Sequence, residues 1–295
     1  MRVGYVGIGN MGGPMAANLA RAGNEVVIGD LNQLAVDAFT TEHETARPAN
    51  GLAAVGQEAE AVFTCLPNGK IVAEAVLGEG GIAEGMAEGS VLVDMSSSAP
   101  MGTIDLGKTL SERGIRMVDA PVSGGVPRAV EGTIAIMVGG AKEDIEKVRP
   151  ALETMGGQIF ETGGLGSAHA MKSINNVLSA TNLLVGIEAL VVGKKFGLDP
   201  QNMVDILNFS SGKNSATESK LKEYVLSREF NSGFSMDLMI KDVATALDLA
   251  HEMGVPWQIG STIHEMYQAA RNHMIDNADN SDIARWIEAN GGIEL

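Results

Sequence analysis

Short apolar runs at residues 3–6, 25–28, 61–66, 90–94, 117–120 and 133–138 alternate with segments in which apolar residues recur at helical spacing or glycine dominates. Strands buried on both faces have this near-continuous apolar character, so the alternation predicts a doubly wound parallel sheet with helices on both sides. From residue 165 onward no convincing strand run remains. Residues 167–196 read as one long helix with an apolar stripe of Met171, Ile174, Leu178, Val185, Ala189, Val192 and Phe196, closed by Gly197 and Pro200. At 1.5 Å per residue it would run roughly 45 Å, enough to link a sheet domain to a helical one. Asp199-Pro200 opens another helix, and 241–251 and 261–274 are patterned as helices. The predicted fold class is α/β, with a sheet domain over 1–163 and an all-helical domain over 164–295 joined by the long helix.

Gly7, Gly9 and Gly12 follow the first strand directly, and a helix patterned by Met15, Leu19 and Ala22 starts there and stops at Gly23. A dinucleotide pyrophosphate requires this arrangement. Gly7 turns the chain, Gly9 admits phosphate to the backbone, Gly12 lets helix pack on strand, and the helix start offers N–H donors. Gly7, Ile8, Gly9, Asn10, Met11 and Gly12 are therefore the candidate cofactor loop. Asp30, which closes the second strand, stands where a carboxylate would accept from the adenosine ribose hydroxyls; the alternative, less favoured by the motif's context, is that it only ends the strand. Leu31 and Asn32 follow, with no Arg or Lys for a 2′-phosphate, which favours NAD with NADP as the alternative.

The formal net charge of −16, without a local basic cluster, argues against a nucleic-acid surface or an anionic membrane as partner. A single Cys65 permits no internal disulfide, no signal segment precedes the first strand, and no apolar run is expected to reach membrane-spanning length. A cytoplasmic enzyme is the expectation. Nothing in the sequence suggests a metal site.

In doubly wound sheets ligands sit beyond the carboxyl ends of the strands. The segments found there are 66–68, 95–98 and 121–125, which contain Leu66, Pro67, Ser97, Ser123, Gly124 and Gly125. Consecutive N–H groups at Ser123-Gly124-Gly125 could converge on an anion. Lys172 and Asn176 stand four apart on the long helix and so share a face. A lysine partly removed from water could give or take the proton of a hydroxyl as hydride moves at the neighbouring carbon; the same residue could also be only a solvated surface lysine. The polar segment 211–218, with Lys213 and Asn214, is a candidate for tuning substrate choice or an exposed turn.

These motifs together resemble the β-hydroxyacid dehydrogenase family, the group of 3-hydroxyisobutyrate dehydrogenase and tartronate semialdehyde reductase. The resemblance runs through Gly7 to Ala16 with Asn18-Leu19, Leu66-Pro67-Asn68, Asp119 to Gly125 with Gly132-Thr133, Gly166 to Lys172 with Asn175-Asn176, and Phe234 with Lys241-Asp242. It implies a Rossmann-like domain followed by an all-helical one, and a homodimer or homotetramer. It further implies Lys172 as catalytic acid or base, Ser123, Gly124, Gly125 and Asn176 at the substrate, and Ser97, Lys241 and Asp30 at the cofactor. Ala168 departs from the glycine that many relatives carry before the lysine. The substrate class implied is a small anionic β-hydroxyacid, such as 3-hydroxyisobutyrate, tartronate semialdehyde or a hydroxylated or sulfonated analogue. The competing readings are an imine reductase, against which Lys172 argues, a decarboxylating 6-phosphogluconate dehydrogenase-like enzyme, and a nucleotide sensor without chemistry.

Overall fold

The structure, a computed structural model, describes residues 1–295 and divides into two compact units, Met1–Lys172 and Ser173–Leu295. The first unit holds a nine-stranded sheet: β1 Arg2–Val6, β2 Glu25–Gly29, β3 Ala46–Pro48, β4 Ala61–Thr64, β5 Val91–Asp94, β6 Arg116–Asp119, β7 Val122–Ser123, β8 Ile134–Gly139 and β9 Gly156–Gly163. The order is β3-β2-β1-β4-β5-β6-β8-β7, with β9 on β8. Strands β1 to β6 pair in parallel, whereas β8 runs antiparallel to β6 and β7. The parallel sheet is thus as expected, with an antiparallel extension that the patterning did not distinguish.

Residue alternation explains why both faces of this sheet are covered. Val3, Tyr5, Phe63, Val91, Val93 and Val118 enter one apolar cluster, together with Met15 and Leu19 of the helix Gly12–Arg21 and Val148 and Leu152 of the helix Lys142–Met155. Val6, Val62, Leu92 and Met117 point the other way, into a second cluster with Val55, Val72, Val76, Leu106 and Leu110. Successive strand residues face opposite sides, so a run apolar at every position is buried twice.

The second unit is helical. Its core gathers Leu183, Ile187, Leu190, Val204, Leu221, Val225, Val243, Ile263, Tyr267 and Ile287. Asp199 caps the helix Pro200–Asn208 by accepting from the Asn202 N–H at 2.9 Å, and Ser235 caps Met236–Glu252 from the Leu238 N–H at 3.3 Å. Between these helices, residues Ala216–Leu226 wind as a π-helix where the sequence suggested only a polar turn ending at 218.

The long helix is Ser167–Phe196, as expected, but its faces are reversed. Val177, Ala180, Leu184, Ile187 and Val191 are buried, while Met171, Leu178, Val185, Val192 and Phe196 of the expected stripe are 41–84% exposed. Both faces are apolar, and spacing alone could not rank them. The same helix is long and apolar enough by length and composition to cross a membrane, although polar residues interrupt it throughout, and 56% of its most apolar window is buried within the protein. The two compact units part at Lys172, because the first turn of this helix is tied to the sheet by hydrogen bonds described next.

Candidate active site

The parallel registers set Gly29, Val6, Thr64, Asp94 and Asp119 side by side at one edge of the sheet. Everything that follows these residues therefore emerges at that edge. Gly7 adopts φ +94°, and a Cβ there would lie 2.3 Å from the Cys65 carbonyl oxygen. A Cβ on Gly12 would lie 1.9 Å from the Gly7 oxygen, so both positions demand glycine for the protein's own packing. Gly9 is different. Nothing lies within 4 Å of where its Cβ would be, and the residue is exposed. The helix Gly12–Arg21 starts with no side-chain cap and no acidic residue in its first turn, which leaves its N-terminal dipole and donors for an anion. Open space over the middle glycine and an uncapped helix start are what a dinucleotide needs, so these residues fit NAD(P).

Asp30 is partly buried and braces this loop. Its Oδ2 accepts from the Ile8 N–H and its Oδ1 from the Asn32 N–H, both at 2.8 Å. Each oxygen has a further lone pair with which to accept from a ribose hydroxyl. Asn32 is spent on capping the next helix through the Ala35 N–H at 3.3 Å. Leu31 is fully exposed.

Two buried aspartates that the sequence left unassigned organise the rest of the edge. Asp94 accepts from Thr64 Oγ1 at 3.0 Å, the Ser96 N–H at 3.0 Å and Ser98 Oγ at 2.7 Å. Ser96 Oγ in turn accepts from the Leu66 N–H at 2.9 Å. This network holds Leu66 against Gly7, where an added Cβ would lie 2.9 Å from the leucine side chain, and fixes the segments that carry exposed Pro67 and half-buried Ser97. Asn68 is a cap, its Oδ1 accepting from the Ile71 N–H at 3.0 Å.

Asp119, fully buried, accepts from the Gly166 N–H through Oδ1 and the His169 N–H through Oδ2, both at 2.8 Å. A carboxylate from a strand end thus serves as N-terminal cap of the long helix. Burial pushes its carboxyl above the usual range, while the His169 charge and the two N–H donors pull it back. His169 adds a second tether. Its Nε2 donates to the Ser96 carbonyl at 3.1 Å, and its Nδ1 lies 2.8 Å from Thr103 Oγ1. One turn past His169 stands Lys172, partly buried. The signal for these anchors was present as polar residues at strand ends and inside the Gly166 to Lys172 motif, but only a fold shows them buried.

Ser123 ends β7, and Gly124 and Gly125 follow at φ +140° and +77°. Both glycines are exposed, and a Cβ on Gly124 would lie 2.8 Å from the Arg128 side chain. Successive left-handed residues aim neighbouring N–H groups into one concavity.

Asn176 and Lys241 belong to the second unit, where they meet through Asp242. Asn176 Nδ2 donates to Asp242 Oδ2 at 2.5 Å, and Lys241 Nζ lies 3.0 Å from Oδ1. Asn176 and Asp242 are both buried, so this trio is a fixed feature of that unit. Lys213 pairs with Glu218 at 2.8 Å, and the Asn214 Oδ1 starts the π-helix by accepting from the Ala216 N–H at 2.9 Å and the Thr217 N–H at 3.2 Å. No group of His, Cys, Asp and Glu is arranged to hold a metal ion.

Sheet, glycine loop and helix start define a dinucleotide-dependent oxidoreductase. A family model described as the NAD binding domain of 6-phosphogluconate dehydrogenase matches residues 2–164. Another, described as NAD-binding of NADP-dependent 3-hydroxyisobutyrate dehydrogenase, matches residues 166–287. The 2-(hydroxymethyl)glutarate dehydrogenase of Eubacterium barkeri is 36% identical over all of this chain and 97% of its own length. The 3-sulfolactaldehyde reductase of Escherichia coli is 31% identical over 99% and 97%. Among solved structures, the 3-hydroxyisobutyrate dehydrogenase of Mycobacterium tuberculosis, in a structure with L-serine, superposes with a TM-score of 0.88 over 97% of this chain and 99% of its own, at 28% identity. The chain belongs to the β-hydroxyacid dehydrogenase family and is an NAD(P)-dependent oxidoreductase acting on CH–OH. Imine reductases, at 18% identity and a TM-score of 0.64 for one from Streptomyces aurantiacus, share the fold alone.

Proposed function

We propose that this enzyme moves hydride between NAD and the hydroxyl carbon of a small β-hydroxyacid, with Lys172 as general acid and base. The observation that carries the reading is the double anchoring, by Asp119 and His169, of the helix turn that leads into Lys172. A proton donor must keep its place while bonds change, and a lysine one turn from two buried tethers keeps it. When bound, NAD(P) supplies or takes the hydride. Ser123, Gly124 and Gly125 hold the acid group, and Asn176, four residues along the helix face from Lys172, orients the substrate. Gly7 to Gly12, Leu66, Pro67, Ser97 and Lys241 hold the cofactor. Asp30, with Leu31 and Asn32 beside it, supports NAD over NADP, because a carboxylate repels a 2′-phosphate.

Relatives named for 2-(hydroxymethyl)glutarate, 3-sulfolactaldehyde and 3-hydroxyisobutyrate support a small anionic substrate. The exposed apolar stripe of Met171, Leu178, Val185, Val192 and Phe196 supports assembly as a homodimer or homotetramer. The single unpaired Cys65 supports a reducing compartment such as the cytoplasm. The test is Lys172→Ala, assayed with NAD and a panel of β-hydroxyacids. We expect kcat to fall about 10²- to 10⁴-fold with NAD affinity retained; undiminished turnover would remove Lys172 from the chemistry.

A further inference from the structure

Arg128 is a cation for which the protein provides no partner. Its side chain is exposed and enters no hydrogen bond or ion pair. The one acid of its helix Gly125–Glu131, Glu131, accepts instead from Thr133 Oγ1 at 3.3 Å. What fixes Arg128 in place is a glycine. Gly124 stands at φ +140°, and the Cβ it lacks would lie 2.8 Å from Arg128 Cδ and 3.3 Å from Arg128 Cβ. The arginine stem therefore lies across the position that a side chain at 124 would fill. Its guanidinium, two bonds beyond Cδ, is kept in water beside the Ser123-Gly124-Gly125 turn.

The turn adds donors of its own. The amides of Gly124 and Gly125 and the hydroxyl of half-buried Ser123 find no acceptor within the protein. Three neutral donors and a guanidinium thus stand together with no carboxylate among them, in a chain whose net charge is −16. The element that carries them is also firmly placed. Buried Asn18, on the helix that leaves the cofactor loop, donates through Nδ2 to the Ala129 carbonyl at 2.8 Å, and the Thr133 N–H donates to the Arg128 carbonyl at 2.9 Å. Arginine, turn and cofactor loop all belong to the first compact unit.

We propose that Arg128 pairs with the substrate acid group held by the Ser123-Gly124-Gly125 turn, and that this pair sets a preference for ionised hydroxyacids over their neutral esters. This rests on the reading above that the turn holds the acid group, and it names the residue that recognises the charge. Amides and a hydroxyl are neutral donors, which an ester carbonyl satisfies nearly as well as a carboxylate does. A guanidinium separates the two, because it offers full charge and parallel N–H donors that match both oxygens of an ionised acid.

The test uses the full-length enzyme with NAD, comparing 3-hydroxyisobutyrate with its methyl ester, for wild type, Arg128→Gln, Arg128→Lys and Ser123→Ala. Wild type should prefer the acid in kcat/KM. Arg128→Gln should shrink that preference about tenfold or more, through a higher KM for the acid, with the ester little affected. Arg128→Lys, which keeps the charge without the fork, should recover part of it. The melting temperature of Arg128→Gln should match wild type, because the side chain has no protein partner to lose. If Arg128→Gln keeps the wild-type ratio of acid to ester while Ser123→Ala lowers kcat/KM for the acid, the turn works alone and the inference is overturned. Equal damage to acid and ester in Arg128→Gln marks a structural role and overturns it too. If neither Arg128→Gln nor Ser123→Ala affects the acid, the turn is not the acid site, and the reading beneath this inference falls with it. If wild type binds NAD yet oxidises neither compound, the reaction assignment itself fails, and this inference with it.

Discussion

Asp119→Ala is the perturbation that most directly tests how the Lys172 turn is held. It removes the acceptor for the Gly166 and His169 amides, both bonded at 2.8 Å in a fully buried setting. Each orphaned N–H costs about 1–3 kcal/mol, so the gross loss is roughly 2–6 kcal/mol. No longer burying a carboxylate offsets part of that, and the expected net loss is about 2–3 kcal/mol. Urea unfolding measures the total, and hydrogen exchange at residues 166 and 169 reports the local effect, which matters in a two-unit chain where unfolding need not be two-state. On the proposal that Lys172 is the general acid, kcat should fall at least tenfold, because its turn is no longer held. The pH dependence has a definite sign. The Asp119 carboxyl is raised in the folded protein, so the native state binds more protons than the unfolded chain between the two pKa values. Stability then declines as pH rises upward from about 3.8 through the raised value, and Asp119→Asn should lack that slope. Unchanged amide exchange at 166 and 169, with wild-type kcat, would refute the anchoring argument.

Three further outcomes follow from the same geometry. Gly9→Ala should leave the melting temperature of the cofactor-free protein unchanged, since its Cβ meets no protein atom, while weakening NAD binding at least tenfold by calorimetry. Gly139→Ala places a Cβ 2.6 Å from both Asp119 Oδ1 and Ser167 Oγ, and should destabilise by about 1–3 kcal/mol in chemical denaturation. Asp30→Ala should raise the ratio of NADP to NAD in kcat/KM, and should also lower stability because the Ile8 and Asn32 amides lose their acceptor.

The parts of the fold governed by local chemistry were legible in the residues. Glycines with steric reasons, as at Gly7 and Gly12, marked the cofactor loop, and Asp199-Pro200 and Gly197 marked helix ends whose geometry agrees. What depended on the partner of a surface was not. The long helix offers apolar residues on two sides, and which one meets the core is decided by the helices Pro200–Asn208 and Met236–Glu252 rather than by its own pattern. β9 was missed because its Gln158, Glu161 and Thr162 are polar, and its pairing with β8 is backbone chemistry. Asp94, Asp119 and His169 stood out only as polar residues at strand ends and inside the lysine motif, since a buried acceptor and a surface acid look alike in one dimension. Asn214 stood out for polarity and begins a π-helix, Lys213 pairs with Glu218, and Lys220, unremarked in the sequence, ends up against Ser179.

The winding of residues 216–226 also bears on how such an enzyme changes over generations. A π-helix carries more residues per turn than an α-helix, so loss of a single codon ahead of Lys220 would turn that lysine by about 100° around the helix axis. The ammonium at position 220 would then leave the serine it now meets, with neither of the two residues replaced. Insertion and deletion, instead of point replacement, is thus a short path to re-aiming a side chain within this segment.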